Sequence, residues 1–301
     1  MEERRTASLI EYVRAFIETM RPHQWIKNLF LFAGIIFSEH LGRGGDLLRV
    51  TLAFLLFSLL SGAVYLINDL LDLEEDKVHP EKRHRPIASG RLPIPAAVGG
   101  VSVIVPLCLL SAFLLDGAFG GIAAIYFVQN LFYSKYLKHV VIIDVMMIGV
   151  GFVLRAVAGA VVIGVGFSNW LLLCTFLLAL FLGFSKRRHE LLLLEQKANA
   201  HRPILEHYHP YFLDMMISIV TAATLVSYAL YTMSPETIEK FETDDLIYTI
   251  PFVVYGIFRY LYLVHLREEG GNPSRIVFKD KPLLVNILLW LVSVVLLVYL
   301  G

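Results

Sequence analysis

Residues Asn68 to Asp76 read NDLLDLEED, an acidic end to the apolar run that begins at Thr51. Five carboxylates, Asp69, Asp72, Glu74, Glu75 and Asp76, crowd into this stretch. On a continuing helix Asn68, Asp72 and Asp76 stand at i, i+4 and i+8, with Asp69 one turn before Asp72. That spacing puts Asn68, Asp69, Asp72 and Asp76 on one face. Such a group at a membrane edge repels itself unless a cation sits between its members. Oxygen-only ligation suits Mg²⁺, which keeps some waters and takes its remaining ligands from substrate phosphates. A solvated acidic loop after a membrane span is the competing reading.

The chain around this stretch is made for lipid. Its 301 residues are 57% hydrophobic and 17% charged, with mean hydropathy +0.66, which excludes an ordinary soluble domain. Nine apolar runs long enough to span lie at about 24–41, 50–68, 95–115, 118–136, 140–165, 168–185, 211–233, 246–265 and 282–300. The expected fold is all-α and polytopic, one integral-membrane domain over residues 1–301 with no soluble insertion. Residues 1–22 form an amphipathic amino-terminal segment: Leu9, Ile10, Val13, Phe16, Ile17 and Met20 recur at helical spacing. It either lies on the membrane surface or caps the bundle. Cys108 and Cys174 sit in apolar runs and imply no disulfide framework, and no cleavable signal peptide is expected. Net charge is zero, so the total says nothing about partners, and no nucleic-acid partner is expected.

Charge distribution says more than its total. Of the 26 lysines and arginines, Arg43, Arg49 and Lys240 fall in connections on one side, and Arg155 and Arg259 lie within spans. All the others fall on the opposite side. The positive-inside rule makes that side cytoplasmic, with the amino terminus there and Gly301 outside.

Four segments on that side, and one arginine within a span, carry candidate chemistry. In RPHQWIKN, Arg21 to Asn28, Lys27 and Asn28 suit a substrate phosphate, whereas Trp25 suits a headgroup-level anchor. After the acids come Lys77, Lys82, Arg83 and Arg85; acids for a metal with bases beside them are what a diphosphate requires. Tyr133 and Lys138, in YSKYLK, offer a hydroxyl and a cation to a phosphate, or merely mark the interface. Lys186, Arg187 and Glu190, in KRRHE, suit an anionic ligand at the membrane surface, or topology alone. Arg155 interrupts the apolar run FVLRAVAGA, where a charge is expensive and marks a functional contact or a pair with a buried acid such as Asp144. The small residues Gly151, Ala156, Ala158, Gly159 and Ala160 around it allow close helix approach.

Taken together, these segments resemble the UbiA superfamily of intramembrane prenyltransferases over almost the whole chain. NDLLDLEED looks like its N-D-x-x-D-x-x-x-D motif, which in that family binds Mg²⁺ and a substrate diphosphate. The resemblance implies nine transmembrane helices around a central cavity open to the cytoplasm and laterally to lipid. Typical members carry a second aspartate-rich motif after the sixth span, and here that position is the basic KRRHEL. A cationic second half holds a phosphate directly rather than a second metal.

RPHQWIKN, NDLLDLEEDKVHPEKRHRPIASG, YSKYLKH, GFVLRAVAGA and KRRHEL together look like the polyprenyl-phosphate phosphoribosyltransferase branch. That likeness implies phosphoribosyl pyrophosphate as donor, a polyprenyl phosphate as acceptor and a bacterial-type plasma membrane as location. It assigns Asn68, Asp69, Asp72 and Asp76 to the metal, with the three aspartates catalytic through it. Lys27, Asn28, Arg83, Arg85, Tyr133, Lys138, Arg155, Lys186, Arg187 and Glu190 are then the substrate-binding set. An oligomer is compatible with this reading. Two rivals compete with it: a superfamily prenyltransferase acting on an aromatic acceptor, which needs the missing acidic cluster, and a membrane transporter, which leaves the aligned acids unexplained.

Overall fold

The computed structural model describes residues 9–80, 82–196, 203–267, 271 and 273–300, and every regular element among them is helical. In chain order these are α1 (Leu9–Met20), α2 (Phe32–Ile36), α3 (Gly44–Leu71), α4 (Leu73–Val78), α5 (Ile94–Leu115) and α6 (Gly117–Lys135). There follow α7 (Ile143–Val162), α8 (Asn169–Gln196), α9 (Pro210–Met233), α10 (Pro235–Phe241), α11 (Ile250–Leu266), α12 (Pro273–Lys279) and α13 (Lys281–Leu300). Seven helices among the described residues are long and apolar enough to cross a bilayer: α3, α5, α7, α8, α9, α11 and α13.

Nine spanning helices were expected, and two of them take another form. The fourth, 118–136, coincides with α6, but Gln129, Asn130 and three glycines lower its hydropathy. The first, 24–41, is not a spanning α-helix. It is a 3-10 run, Pro22–Leu31, followed by the five residues of α2. Arg21 turns the chain into this run with a left-handed backbone (φ 53°), and Pro22 follows with no N–H to donate. The run still crosses the bundle. Arg21 contacts Asp69 at one end of α3, whereas Ile35, Ile36 and Leu41 meet Tyr299 at the other. The amino-terminal and carboxy-terminal spans therefore begin and finish at opposite ends, as an odd number of passes requires.

Glycine makes this non-helical entry fit. A Cβ on Gly159 of α7 would stand 1.8 Å from the Leu31 carbonyl oxygen. One on Gly34 would stand 2.8 Å from the Ala160 backbone. The entry segment thus lies backbone against backbone on α7, sealed around by buried Leu31, Ile35, Phe57, Phe119 and Ala158. On the far side of these contacts a void of about 480 Å³ opens, lined by His40, Tyr231, Glu236, Lys240 and Phe241 among others.

α1 presents two different rows. Ala15, Thr19 and Met20 are buried and Phe16 packs on Gly100 of α5, so one row caps the bundle. Ile10, Val13 and Ile17 form an exposed apolar row facing outward. Glu18 accepts two hydrogen bonds from Arg91, at 2.8 and 2.9 Å, and the guanidinium holds its carboxyl below the usual range. Residues 1–8 lie outside the described residues.

Candidate active site

The acidic motif straddles a seam. α3 ends at Leu71, Asp72 adopts φ −89° and ψ 9°, and α4 starts at Leu73. Backbone bonding nevertheless continues: the Asp72 N–H donates to the Asn68 carbonyl at 2.9 Å, and the Asp76 N–H to the Asp72 carbonyl at 2.8 Å. The predicted spacing therefore survives without one continuous helix.

Each aspartate of the motif meets a cation from another part of the chain. Asp69 Oδ1 accepts from Arg21 at 2.5 Å and from Arg85 at 3.1 Å. The same Arg85 nitrogen donates to Asp76 Oδ2 at 2.6 Å, and Lys138 Nζ donates to Asp72 Oδ1 at 2.6 Å. Arg21 comes from the turn after α1, Arg85 from the loop after α4, and Lys138 from the 3-10 turn after α6. Asp69 and Asp76 are buried at 2% and 1% exposure. In this arrangement no three acids among the described residues converge tightly enough to grip an ion. Of the expected metal ligands, Asp69 and Asp76 thus share one Arg85 nitrogen, while Asp72 is met by Lys138.

The donor set still fits a hard cation. All four residues offer oxygen, the acids are the sort Mg²⁺ takes, and buried Asp76 Oδ1 has no hydrogen-bond partner. A buried carboxylate oxygen left unpaired is costly, and a cation reaching it through the seam removes that cost.

Arg155 does not pair with Asp144, the alternative reading for it. It is 7% exposed and donates to Asn28 Oδ1 at 2.7 Å, the Gly151 carbonyl at 2.7 Å and the Tyr126 hydroxyl at 2.8 Å. Asp144 instead accepts from Arg187 at 2.7 Å and from Tyr208 at 2.7 Å. Asn28 is fixed in turn by donating to Ser58 and Ser61 at 3.0 and 3.3 Å.

The KRRHE segment divides. Arg187 is buried at 1% exposure, held by Asp144 and by Glu190 at 2.6 Å, and reaches Tyr133 at 3.4 Å. Arg187, Glu190 and Tyr133 therefore belong to one packed network. Burial and the Asp144 contact push the Tyr208 phenol, which closes this network, above its ordinary pKa. Lys186 lies 3.6 Å from Glu190. Arg188 pairs with Asp214 at 2.5 Å, and His265 reaches the same carboxylate at 3.2 Å, tying α8 to α9 and α11. Arg83 is exposed and touches His84. Trp25, expected as a headgroup anchor, is half-buried against the cluster of Met20, Leu66 and Ile87. Lys197 and Arg202 lie outside the described residues.

Sequence reasoning passed over Arg21 as a site residue, together with Ser58, Ser61, Tyr65 and Tyr126. Hydroxyls in an apolar run are the available signal for Ser58 and Ser61, at helical i, i+3 spacing before the acids. Arg21 offers its adjacency to the Pro22 turn.

An all-helical membrane protein with an aspartate-rich motif at one end of its bundle, its carboxylates met by cations, is the class this fold and site define. The chain belongs to the UbiA prenyltransferase family, whose model matches residues 29–279. It is 34% identical over 296 residues to the decaprenyl-phosphate phosphoribosyltransferase of Corynebacterium glutamicum, covering 94% of this chain and 86% of that protein. It is 31% identical to the enzyme of the same name from Mycolicibacterium smegmatis, covering 93% and 91%. A solved UbiA homolog from Archaeoglobus fulgidus, bound to GPP and Mg²⁺, superposes with a TM-score of 0.72 at 18% identity, over 95% of this chain and 100% of that one. At that identity the likeness is one of fold.

Proposed function

We propose that this protein transfers 5-phosphoribose from phosphoribosyl pyrophosphate to a polyprenyl phosphate, releasing pyrophosphate, with Mg²⁺ as cofactor. It does so as a single integral-membrane domain whose site faces the cytoplasm. The observation that carries the reading is the pairing of one acidic motif with cations from three elements, while the second half-site is basic and locked by Arg187. An enzyme holding a prenyl diphosphate through two acidic motifs has no use for that distribution. Near full-length similarity to the actinobacterial phosphoribosyltransferases supports the same substrates.

Mg²⁺ held by Asn68, Asp69, Asp72 and Asp76 would stabilise charge on the departing pyrophosphate. Arg21, Arg85 and Lys138, already turned towards those carboxylates, take phosphate oxygens of the same group as it arrives. The bond from ribose C1 to the pyrophosphate oxygen breaks with its electron pair going to pyrophosphate. The lipid phosphate oxygen forms the new bond to C1 from the opposite face. That acceptor is an anion already, so no strong general base is needed. Positioning and charge stabilisation carry the rate.

The test is a product assay on detergent-solubilised protein with and without Mg²⁺. One arm holds phosphoribosyl pyrophosphate and polyprenyl phosphate, the other a polyprenyl diphosphate and 4-hydroxybenzoate. Phosphoribosylated lipid formed only with Mg²⁺ is the expected product. Prenylated aromatic would replace this reading with the aromatic-acceptor one. No product in either arm would return the protein to the transporter class.

A further inference from the structure

Two arginines near this site are held in opposite ways. Arg187 is 2% exposed at its side chain and fixed by Asp144, Glu190 and Tyr133, so it cannot leave without unpairing a buried acid. Arg85 is 26% exposed, and among the described residues its guanidinium meets only Asp69 and Asp76. A single nitrogen makes both contacts, at 3.1 and 2.6 Å, and so bridges two buried carboxylates. The side chain hangs from a fixed base. Ser89 donates to the Arg85 carbonyl from its N–H at 2.9 Å and its hydroxyl at 2.8 Å, and Pro86 restricts the next backbone angle. An exchange of partners by Arg85 therefore needs only rotation of its side chain.

Charge decides when that exchange is favourable. Asp69, Asp72 and Asp76 are balanced by Arg21, Arg85 and Lys138. A divalent ion added alone would put two uncompensated charges among them, and a diphosphate added alone would set its anions against buried carboxylates. Entering together, each offsets much of the other's charge. Asp76 supplies the place of exchange. It is 1% exposed, its Oδ2 is taken by Arg85, and its Oδ1 has no hydrogen-bond partner. One buried oxygen is thus already open to a second cation.

We propose that Arg85 is the resident counterion of the metal site and governs its loading. Its guanidinium holds carboxylate oxygens of Asp69 and Asp76 that a divalent ion needs. It releases them when a diphosphate draws it away, so that metal and diphosphate enter as a pair. Arg85 is thus a positioning residue for the two aspartates and a gate against metal alone. The exchange rests on the metal reading given above, and the coupling of metal to diphosphate is additional to it.

The test measures Mn²⁺, standing in for Mg²⁺, retained on ultrafiltration by full-length protein in detergent, at matched free Mn²⁺ with and without pyrophosphate. Wild type is expected to bind Mn²⁺ about tenfold more tightly when pyrophosphate is present. Arg85→Gln is expected to bind Mn²⁺ alone about tenfold more tightly than wild type, and to lose most of the gain from pyrophosphate. Arg85→Lys, which keeps the charge, should restore most of the wild-type pattern. Arg83→Gln removes a neighbouring cation that contacts His84, and should shift Mn²⁺ affinity little. In EDTA, Arg85→Gln should melt lower than wild type because Asp69 and Asp76 lose their shared partner, and Mn²⁺ alone should close that gap. A purely structural arginine would lower the melting temperature and leave Mn²⁺ affinity where it was. One that only binds diphosphate would weaken pyrophosphate binding and leave Mn²⁺ alone unchanged. Either result overturns the exchange, and so does equal tightening by Arg83→Gln. Equal Mn²⁺ binding by wild type with and without pyrophosphate also overturns it, and needs no variant to fold. Asp72→Asn separates the two readings. Retention lost in Asp72→Asn but untouched by Arg85→Gln removes the exchange and keeps the metal site; retention that Asp72→Asn does not lower removes both.

Discussion

Of the three motif aspartates, Asp72 alone keeps appreciable side-chain exposure, 23% against 2% for Asp69 and 1% for Asp76. Its lysine partner is also partly exposed, so their pair contributes little to folding. Asp72→Ala should therefore abolish transfer, by at least about 100-fold in kcat/KM, with an unchanged melting temperature; retained turnover would sink the metal assignment. Asp144 is the opposite case. It is fully buried and neutralises buried Arg187, and losing one member of such a pair costs about 3–5 kcal/mol. Asp144→Ala should lower the melting temperature sharply, as read by thermal unfolding in detergent, before any effect on the chemistry can be measured. The acids were legible in the sequence because their spacing is local. Arg155 was legible as exceptional, but its partners were not: Asn28 is 127 positions away, and no periodicity links the two.

The entry segment shows what local pattern leaves open. Its apolar content announced a crossing, yet a 3-10 run with a short helix has much the same composition as an α-helix. What decides between them is the contact with α7, where glycine admits a neighbouring backbone. Gly159→Val should force Leu31 away, costing at least about 1–3 kcal/mol. Because the same segment carries Lys27 and Asn28 of the expected substrate-binding set, the variant should also slow transfer, and the product assay alongside thermal unfolding checks both. The loss of one effect without the other would break the proposed link between α7 packing and the site. The seam at Asp72 was not foreseen for a similar reason. A helix ending at Leu71 and resuming at Leu73 keeps the i, i+4 hydrogen bonds, so the residue spacing reads the same either way.

Across the whole molecule, composition and charge asymmetry made the membrane fold readable, because lipid constrains every segment at once. Which end faces which compartment is an expectation from the same asymmetry. Single cysteines at Arg83 and Lys240, in a background lacking Cys108 and Cys174, provide the check. In intact cells a membrane-impermeant maleimide should label the cysteine replacing Lys240. The one replacing Arg83 should react only after permeabilisation; the reverse pattern would invert the topology.

The close approach of Gly159 to Leu31 and of Gly34 to Ala160 has an electrical consequence. The acidic motif lies at one end of the bundle, and the void beside His40 and Lys240, which Gly34 and Ala160 also line, lies towards the other. Between them stand the two abutting backbones and the apolar cluster packed around them. A transmembrane voltage acts on any charge carried past that barrier, by about 2.3 kcal/mol for each elementary charge moved through 100 mV. Two glycines on crossing segments of chain thus help close the wall that keeps the two ends of the membrane protein apart electrically.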